Sequence, residues 1–233
     1  MAGAEGRRSF DAGRRCLALL DARPDGAEAL ARWLVDCGLV PEGTPLDTVD
    51  DGWVERFAEL RDHIDTLVRA ELTARVAPGA AGAAGAAGPA GAAGSPGPAP
   101  AVEAAGGTAA TTGTTGTTGT TGTPALARVN ALAAAAAPPA PRAAPGPDGR
   151  LVRVLDAPPR CAAILAALAR DAVELLTDPA ARARLRECEG DRCHRVYLDT
   201  SRGARRRWCS SATCGNRDRV ARHRARTGRS REG

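Results

Sequence analysis

The 233-residue chain contains only six aromatic residues, and Ala, Gly, Pro and Thr supply much of its length, so the part that can build a packed core is smaller than the whole. Charge is divided unevenly: residues 1–180 hold 16 arginines against 21 acidic residues, whereas residues 181–233 hold 16 against 6 and carry a net charge of +10. The sequence has no apolar stretch of about 18 residues and no secretory signal pattern, which argues against a membrane protein and favours a cytoplasmic one.

Two amphipathic helices are predicted near the N-terminus. In AEALARWLVDCGL the apolar residues recur at intervals of three and four, with Asp25 as the candidate N-cap and Gly38 as the candidate end. A longer helix is predicted from about Asp51. Its apolar stripe consists of Val54, Phe57, Leu60, Ile64, Leu67 and Val68. We expect both stripes to form core, with Cys16 and Cys37 as inert thiols beside them.

Residues 77–123 form a low-complexity segment in which the helical pattern stops. Gly occupies every third position from 79 to 97, and TTG is repeated four times in 111–122. A collagen triple helix would need many more triplets with abundant Pro. We therefore predict a disordered insert.

Regular structure is predicted to resume in PALARVNALAAAA, to break in PPAPRAAPGPDG, and to return as a strand in LVRVL at 151–155. The apolar residues from Cys161 to Leu176 predict a buried helix. Asp178 and Pro179 are typical of an N-cap and a first helical position, so PAARARLREC is predicted to be a short helix that ends at the next cysteine.

Four cysteines near the C-terminus have a spacing typical of a metal site: Cys188-x4-Cys193-x15-Cys209-x4-Cys214. Two close pairs of thiolates can enclose tetrahedral Zn²⁺, and four thiolates leave no position for a reacting water, so the predicted role is structural. Disulfides and an iron–sulfur cluster are the alternatives. His194 and His223 are rival ligands that we do not expect to displace a cysteine.

The residues between the cysteine pairs predict a hairpin in which VYLD and RRWC are the strands and TSRG supplies the turn. Tyr197 and Trp208 are expected to pack beside the metal. Stacking of either ring on a nucleic-acid base is the alternative.

An arginine-rich helix is predicted from Cys214 onward, in NRDRVARHRAR. Guanidinium groups there and just before Cys209 can contact phosphates and pair with guanine. The alternative is a solvated basic tail without a partner. For Asn216, the alternative is that it caps the first turn of the helix. The candidate nucleic-acid-binding residues are Arg205, Arg206, Arg207, Asn216, Arg217, Arg219, Arg222, Arg224 and Arg226.

The paired CxxxxC spacings, YLDTS, RRRWCS and the string Cys-Gly-Asn-Arg at 214–217 together resemble the CGNR zinc finger over residues 188–226. Proteins with this finger typically carry an upstream helical and mixed domain called ABATE, whose family is described as stress-induced transcriptional regulators. LALLDA, ARWLVDCGL and PALARVNAL resemble that domain. Two departures are the insert and Asp21, which stands where the family commonly has Asn.

We therefore predict an α+β fold: a mainly helical ABATE-like domain over 10–76 and 124–180, split by the insert, then a zinc-bound hairpin–helix module over 181–226 and a disordered tail over 227–233. The predicted function is DNA-binding transcriptional regulation in the bacterial nucleoid, with the N-terminal domain in sensing a small-molecule effector or in forming a homodimer. The alternative is a zinc-dependent module that binds RNA or protein. An enzyme is not predicted, because the sequence has no glycine-rich phosphate loop and no nucleophile with a matched base.

Overall fold

The computed structural model describes residues 12–76 and 123–229, and the structural statements that follow concern these two ranges. The insert predicted to be disordered lies outside the described residues, except for Thr123. Of the predicted tail, residues 230–233 lie outside as well, while the last helix continues to Arg229.

Seven helices and two small antiparallel sheets make up the described ranges, so the predicted α+β class is confirmed. The elements are α1 (Arg15–Asp21), α2 (Ala27–Asp36), α3 (Asp51–Val76), α4 (Thr123–Ala135), β1 (Pro141–Pro145), β2 (Leu151–Leu155), α5 (Cys161–Thr177), α6 (Pro179–Arg184), β3 (Leu185–Glu187), β4 (Val196–Leu198) and α7 (Cys214–Arg229).

The N-terminal core is built around α3 and α5. The buried residues of α3 recur at intervals of three and four and lie on one face, whereas α5 also buries four consecutive residues, 163–166, and is buried around most of its circumference. On α3 the most deeply buried side chains are Leu60, Ile64 and Val68. Trp53 is buried and stacks on Phe57 with ring centroids 6.4 Å apart, whereas the predicted stripe placed Val54 at that end of the helix.

The helix ends follow the sequence signals only in part. Asp178 caps α6 as predicted, because its Oδ1 accepts the Ala180 N–H at 2.8 Å. Gly38 follows the end of α2 with φ +69°, a conformation that glycine adopts without strain. The predicted N-cap Asp25 is wrong, since Gly26 occupies that position and no side chain caps the helix.

The break predicted in PPAPRAAPGPDG is also wrong in part, because Pro141–Pro145 forms β1. This strand pairs antiparallel with β2, and Pro141 lies opposite Leu155. A two-stranded sheet has only edge strands, so the prolines can leave their missing N–H positions on the unpaired side.

The predicted hairpin strands have different partners in the structure. Helix α6 ends at Arg184, before the cysteine at which it was predicted to end, and the next three residues form β3. β3 pairs antiparallel with β4, while RRWC forms no strand. The physical reason is burial: as a strand, Leu185 reaches the N-terminal core, where it is 1% exposed.

The C-terminal module is joined to the N-terminal core by shared packing. Leu185 and Val196 of β3 and β4 belong to the same buried cluster as the residues of α1, α3 and α5. The Leu198 N–H also donates to the Ala12 carbonyl at 2.9 Å. The hairpin therefore extends the core of the helical domain.

Candidate metal centre and nucleic-acid interface

The structure brings the four predicted cysteines together. Cys188 follows β3, Cys193 closes a turn in which its N–H donates to the Gly190 carbonyl at 2.9 Å, and Cys214 begins α7. The four sulfurs all lie within 4.8 Å of one another. Cys209 Sγ is 3.7 Å from Cys193 Sγ and 3.6 Å from Cys214 Sγ.

These distances fit a single tetrahedral ion. With metal–sulfur bonds of about 2.3 Å, the sulfurs of a tetrathiolate site lie about 3.8 Å apart. The rival His194 lies outside the cluster, exposed, with its Nδ1 3.2 Å from Glu187 Oε1. His223 is on the exposed surface of α7. Four cysteines without a histidine thus form a closed donor set.

The pKa values of Cys188 and Cys209 are shifted in opposite directions by their surroundings. Burial raises the pKa of Cys188, but backbone N–H groups of Cys209 and Gly190 outweigh burial and leave that pKa below its usual value. The Cys209 N–H is 3.3 Å from the Cys188 sulfur. Burial, followed by the neighbouring sulfurs, raises the pKa of Cys209. A cation bound among the four sulfurs would allow all four cysteines to be thiolates at the same time.

The three remaining cysteines, Cys16, Cys37 and Cys161, lie outside the four-cysteine cluster. Burial raises the pKa of Cys16 and Cys161 and raises that of Cys37 to about 11. Low-pKa thiolates are the reactive ones, so these thiols are packing residues.

The predicted rings do pack against the cysteine cluster. Tyr197 is completely buried, and its hydroxyl donates to the Arg206 carbonyl at 2.6 Å. Burial raises the pKa of Tyr197 to about 12. Trp208 is half-buried on the other side, and a Cβ on Gly215 would lie 3.3 Å from its ring. The indole therefore occupies part of the space that a side chain at position 215 would need.

Sequence reasoning missed Asp199, which fastens the loop before the second cysteine pair. It is completely buried, and its carboxylate accepts N–H groups from Ser201 at 3.0 Å and Arg206 at 2.8 Å. Burial raises the pKa of this carboxyl, but the Ser201 side chain, followed by the backbone N–H groups of Arg206 and Ser201, outweighs burial and lowers the pKa overall. The loop they close contains Ala204 in the left-handed region, at φ 48°. The signal was present in the DTS string that follows the predicted strand.

The predicted nucleic-acid-binding residues fall into two groups. The first group contacts residues of the finger: Arg206 lies over the Tyr197 ring and donates to the Trp208 and Cys209 carbonyls, while Arg207 pairs with Glu189 at 2.7 Å. The second group lies on the exposed surface of α7 and of the loop before it, and consists of Arg205, Asn216, Arg217, Arg219, Arg222 and Arg224; within it, Arg222 pairs with Asp218 of the same helix. The side chain of Arg226 lies outside the described residues.

Among the side chains of α7 that the structure describes, those up to Arg224, burial is confined to the beginning of the helix. Cys214 and Gly215 are buried, whereas the side chains from Asn216 to Arg224 are exposed, apart from the half-buried Asp218. Asn216, Arg219, Val220 and His223 follow the spacing i, i+3, i+4 and i+7, so they share one face, on the side of the helix away from Cys214. Val220 is 41% exposed on that face. The arrangement presents amide, guanidinium, apolar and imidazole groups side by side.

An α+β chain with a closed four-cysteine cluster and an exposed arginine-rich helix is a zinc-finger type of protein, and comparison with known families agrees. The model of the ABATE family, described as "Putative stress-induced transcription regulator", matches residues 13–123 and 109–179, and that of the CGNR zinc finger matches residues 184–227. The chain belongs to the ABATE family and carries a C-terminal CGNR zinc finger, which confirms the predicted resemblance. Neither family is one of enzymes. No curated protein matches the chain.

The length and hydropathy of the helices also bear on membrane insertion. None of the helices in the two described ranges is long and apolar enough to cross a bilayer.

Proposed function

We propose that this protein is a transcriptional regulator that binds duplex DNA through α7, with Zn²⁺ held by Cys188, Cys193, Cys209 and Cys214. The observation that carries the proposal is the exposed face of α7, defined by Asn216, Arg219, Val220 and His223 and referred to below as the reading face. Membership of a family of transcription regulators supports it. The N-terminal domain would serve in sensing or dimerisation.

The metal has a structural role in this proposal. Zn²⁺ prefers tetrahedral thiolate sites, and four sulfurs leave no open position on the ion. The cysteines come from the end of β3, the turn after it, the loop after β4 and the first residue of α7. The bound ion would cross-link these segments and fix the direction in which α7 leaves the protein.

The reading face has the side chains that discriminate base pairs in the major groove. Arg pairs with the O6 and N7 of guanine, Asn pairs with the N6 and N7 of adenine, and a small apolar side chain packs on the thymine methyl group. An α-helix fits the major groove of B-DNA. Arg219, Asn216 and Val220 are the corresponding residues on this helix.

Phosphate contacts would come from the arginines that flank the reading face, Arg217, Arg222 and Arg224, and from Arg205 in the preceding loop. Arg222 forms an ion pair with Asp218 one turn earlier, which orients its guanidinium along the helix. Such contacts add affinity without sequence information. Arg206 and Arg207 would act through the fold, because their guanidiniums contact the rings, carbonyls and Glu189 of the finger itself.

The test uses the full zinc-loaded chain. Duplexes selected from a random pool are labelled, and fluorescence anisotropy gives the affinity at several salt concentrations. Arg219→Ala is expected to lower the affinity for the selected site by about tenfold or more and to relax the preference at one base pair, since a bidentate base contact contributes about 1–3 kcal/mol. Arg150→Ala, an exposed arginine in the β1–β2 turn, is the matched control and should change neither.

Phosphate variants should behave differently. Arg224→Ala is expected to weaken all duplexes equally and to reduce the salt slope by about 0.9. Single-stranded RNA is the competitor that separates the alternative: if RNA displaces the duplex at equal concentration, or if Arg219→Ala and Arg150→Ala bind alike, the proposal of a DNA-reading helix is wrong.

A further inference from the structure

A cavity of about 550 Å³ lies where α1 and α2 meet the C-terminal module. Trp33 and small residues in α1 and just beside its ends form its apolar walls, and its charged groups include Asp21, Asp36, Arg15 and Arg195. Ligand pockets usually have volumes of about 300–1,000 Å³ and combine apolar walls with a few polar groups. The cavity therefore has the size and the lining of a small-molecule site.

Asp21 is the acidic group that the fold leaves without a hydrogen-bond donor on one oxygen in this cavity, and Arg14 Nε is the basic counterpart among the lining residues. The Asp21 Oδ2 is buried, and no residue in the described ranges donates a hydrogen bond to it. The Arg195 Nε lies 3.4 Å from Oδ2, which makes an ion pair without a hydrogen bond. A buried carboxylate oxygen without a donor is destabilising, so an N–H donor placed here by a ligand would remove that penalty.

The charges at this point are close together and of opposite sign. Arg195 comes from the segment before β4, whereas Asp21 is the last residue of α1. A ligand that contacts both must also have opposite charges close together. On the α2 side of the cavity, Asp36 is exposed and Arg15 donates to the Cys37 carbonyl at 3.4 Å. The cavity as a whole thus presents both signs of charge.

We propose that this cavity binds a free α-amino acid, whose ammonium donates to Asp21 and whose carboxylate pairs with Arg195. The two charges of an α-amino acid are separated by a single carbon atom, which matches the adjacent carboxylate and guanidinium. Trp33 offers an apolar surface for the side chain of the ligand. This site is separate from the DNA-binding face and does not depend on the proposed function of α7.

The experiment is isothermal calorimetry on the full zinc-loaded chain, with each of the proteinogenic amino acids as the probe. For an amino acid that binds, the amine without its carboxylate and the acid without its amine are the matched probes. Each is expected to bind about tenfold or more weakly, because each lacks one charged hydrogen-bonding group.

The variants are Asp21→Asn, which keeps the shape of the side chain, and Asp25→Asn, an exposed control that does not line the cavity. We expect Asp21→Asn to lose about tenfold in affinity and Asp25→Asn to bind as the parent does. Arg195→Gln tests the carboxylate contact in the same way, and circular dichroism verifies that each variant is folded. The proposal is overturned if no amino acid binds, if the matched amine binds as tightly as the amino acid, or if neither cavity variant weakens binding.

Discussion

Asp199 is the only charged side chain that is completely buried in the part of the chain that the structure describes. Its two carboxylate oxygens bind both ends of the loop that leads to the second cysteine pair, through the N–H groups of Ser201 and Arg206. Because Arg206 in turn donates to the Trp208 and Cys209 carbonyls, the carboxylate positions a cysteine without touching it.

Asp199→Asn should lower the free energy of unfolding by about 2 kcal/mol, because an amide NH₂ replaces one acceptor and faces a backbone N–H. The pKa of Asp199 is lowered in the folded protein, so its contribution is complete above the ordinary pKa and is lost as the pH falls through the folded value. The difference between parent and variant is therefore expected to be constant at neutral pH and to shrink only below about pH 4. Urea unfolding at several pH values measures it, and a difference that shrinks already near neutral pH would contradict this prediction.

Gly13, two residues before α1, lies against Leu198 of the finger. It has φ +78°, and a Cβ there would lie 3.0 Å from Leu198 Cβ and 3.2 Å from the Leu198 carbonyl oxygen. Gly43 has the same φ with nothing within 4 Å. Gly43→Ala should cost about 1 kcal/mol for the backbone alone, whereas Gly13→Ala should cost about 1–2 kcal/mol more. Thermal unfolding of both variants gives the comparison, and equal losses would show that the contact with Leu198 is loose.

At the scale of elements, the sequence predicted what is periodic and missed what depends on a distant partner. Helices α3 and α5 repeat apolar residues over many turns, so both were predicted close to their observed bounds. β1 is rich in proline and β3 has three residues, and neither has a pattern that separates it from a loop. What makes β3 a strand is the place for Leu185 in a core that includes residues of α1 and α3, more than a hundred positions away.

The predicted site residues show the same difference between local signals and contacts with distant partners. The cysteines were predicted as a group because ligand spacing is a local property. Arg206 was predicted as a nucleic-acid contact because a string of arginines does not reveal which guanidinium donates to the protein itself.

Leu185→Ala tests the contribution of β3 to the core. The side chain is 1% exposed, and truncation of a buried leucine costs about 2–5 kcal/mol. Leu151 is also a strand leucine but is 75% exposed, so Leu151→Ala should change the free energy of unfolding by less than about 0.5 kcal/mol. Urea unfolding followed by circular dichroism distinguishes the two variants. Similar small losses would mean that the hairpin is packed only loosely on the helices.

In the two described ranges, one buried cluster spans the helical domain and the β3–β4 hairpin, and the four cysteines and Tyr197 form a smaller cluster beside it. We expect Cys188→Ser to lose zinc and to lower the melting temperature of the entire protein by about 10 °C or more in a single transition. Cys37→Ser removes a thiol outside the cluster and should keep one zinc per chain. Metal analysis and calorimetry are the measurements. A separate low-temperature transition, with the helical domain unchanged, would show that the finger unfolds independently.

The hydrogen bond from Leu198 to Ala12 and the shared burial of Leu185 and Val196 also bear on how such a chain can be altered by recombination. A crossover placed just before the first cysteine of the finger would separate β3 from β4 and pair a foreign strand with this core. A crossover before α6 would transfer both strands together but would exchange the residues that face Gly13. Under the proposed function, point substitutions on the exposed turns of α7 would therefore change specificity with less disturbance of this core than an exchange of whole fingers.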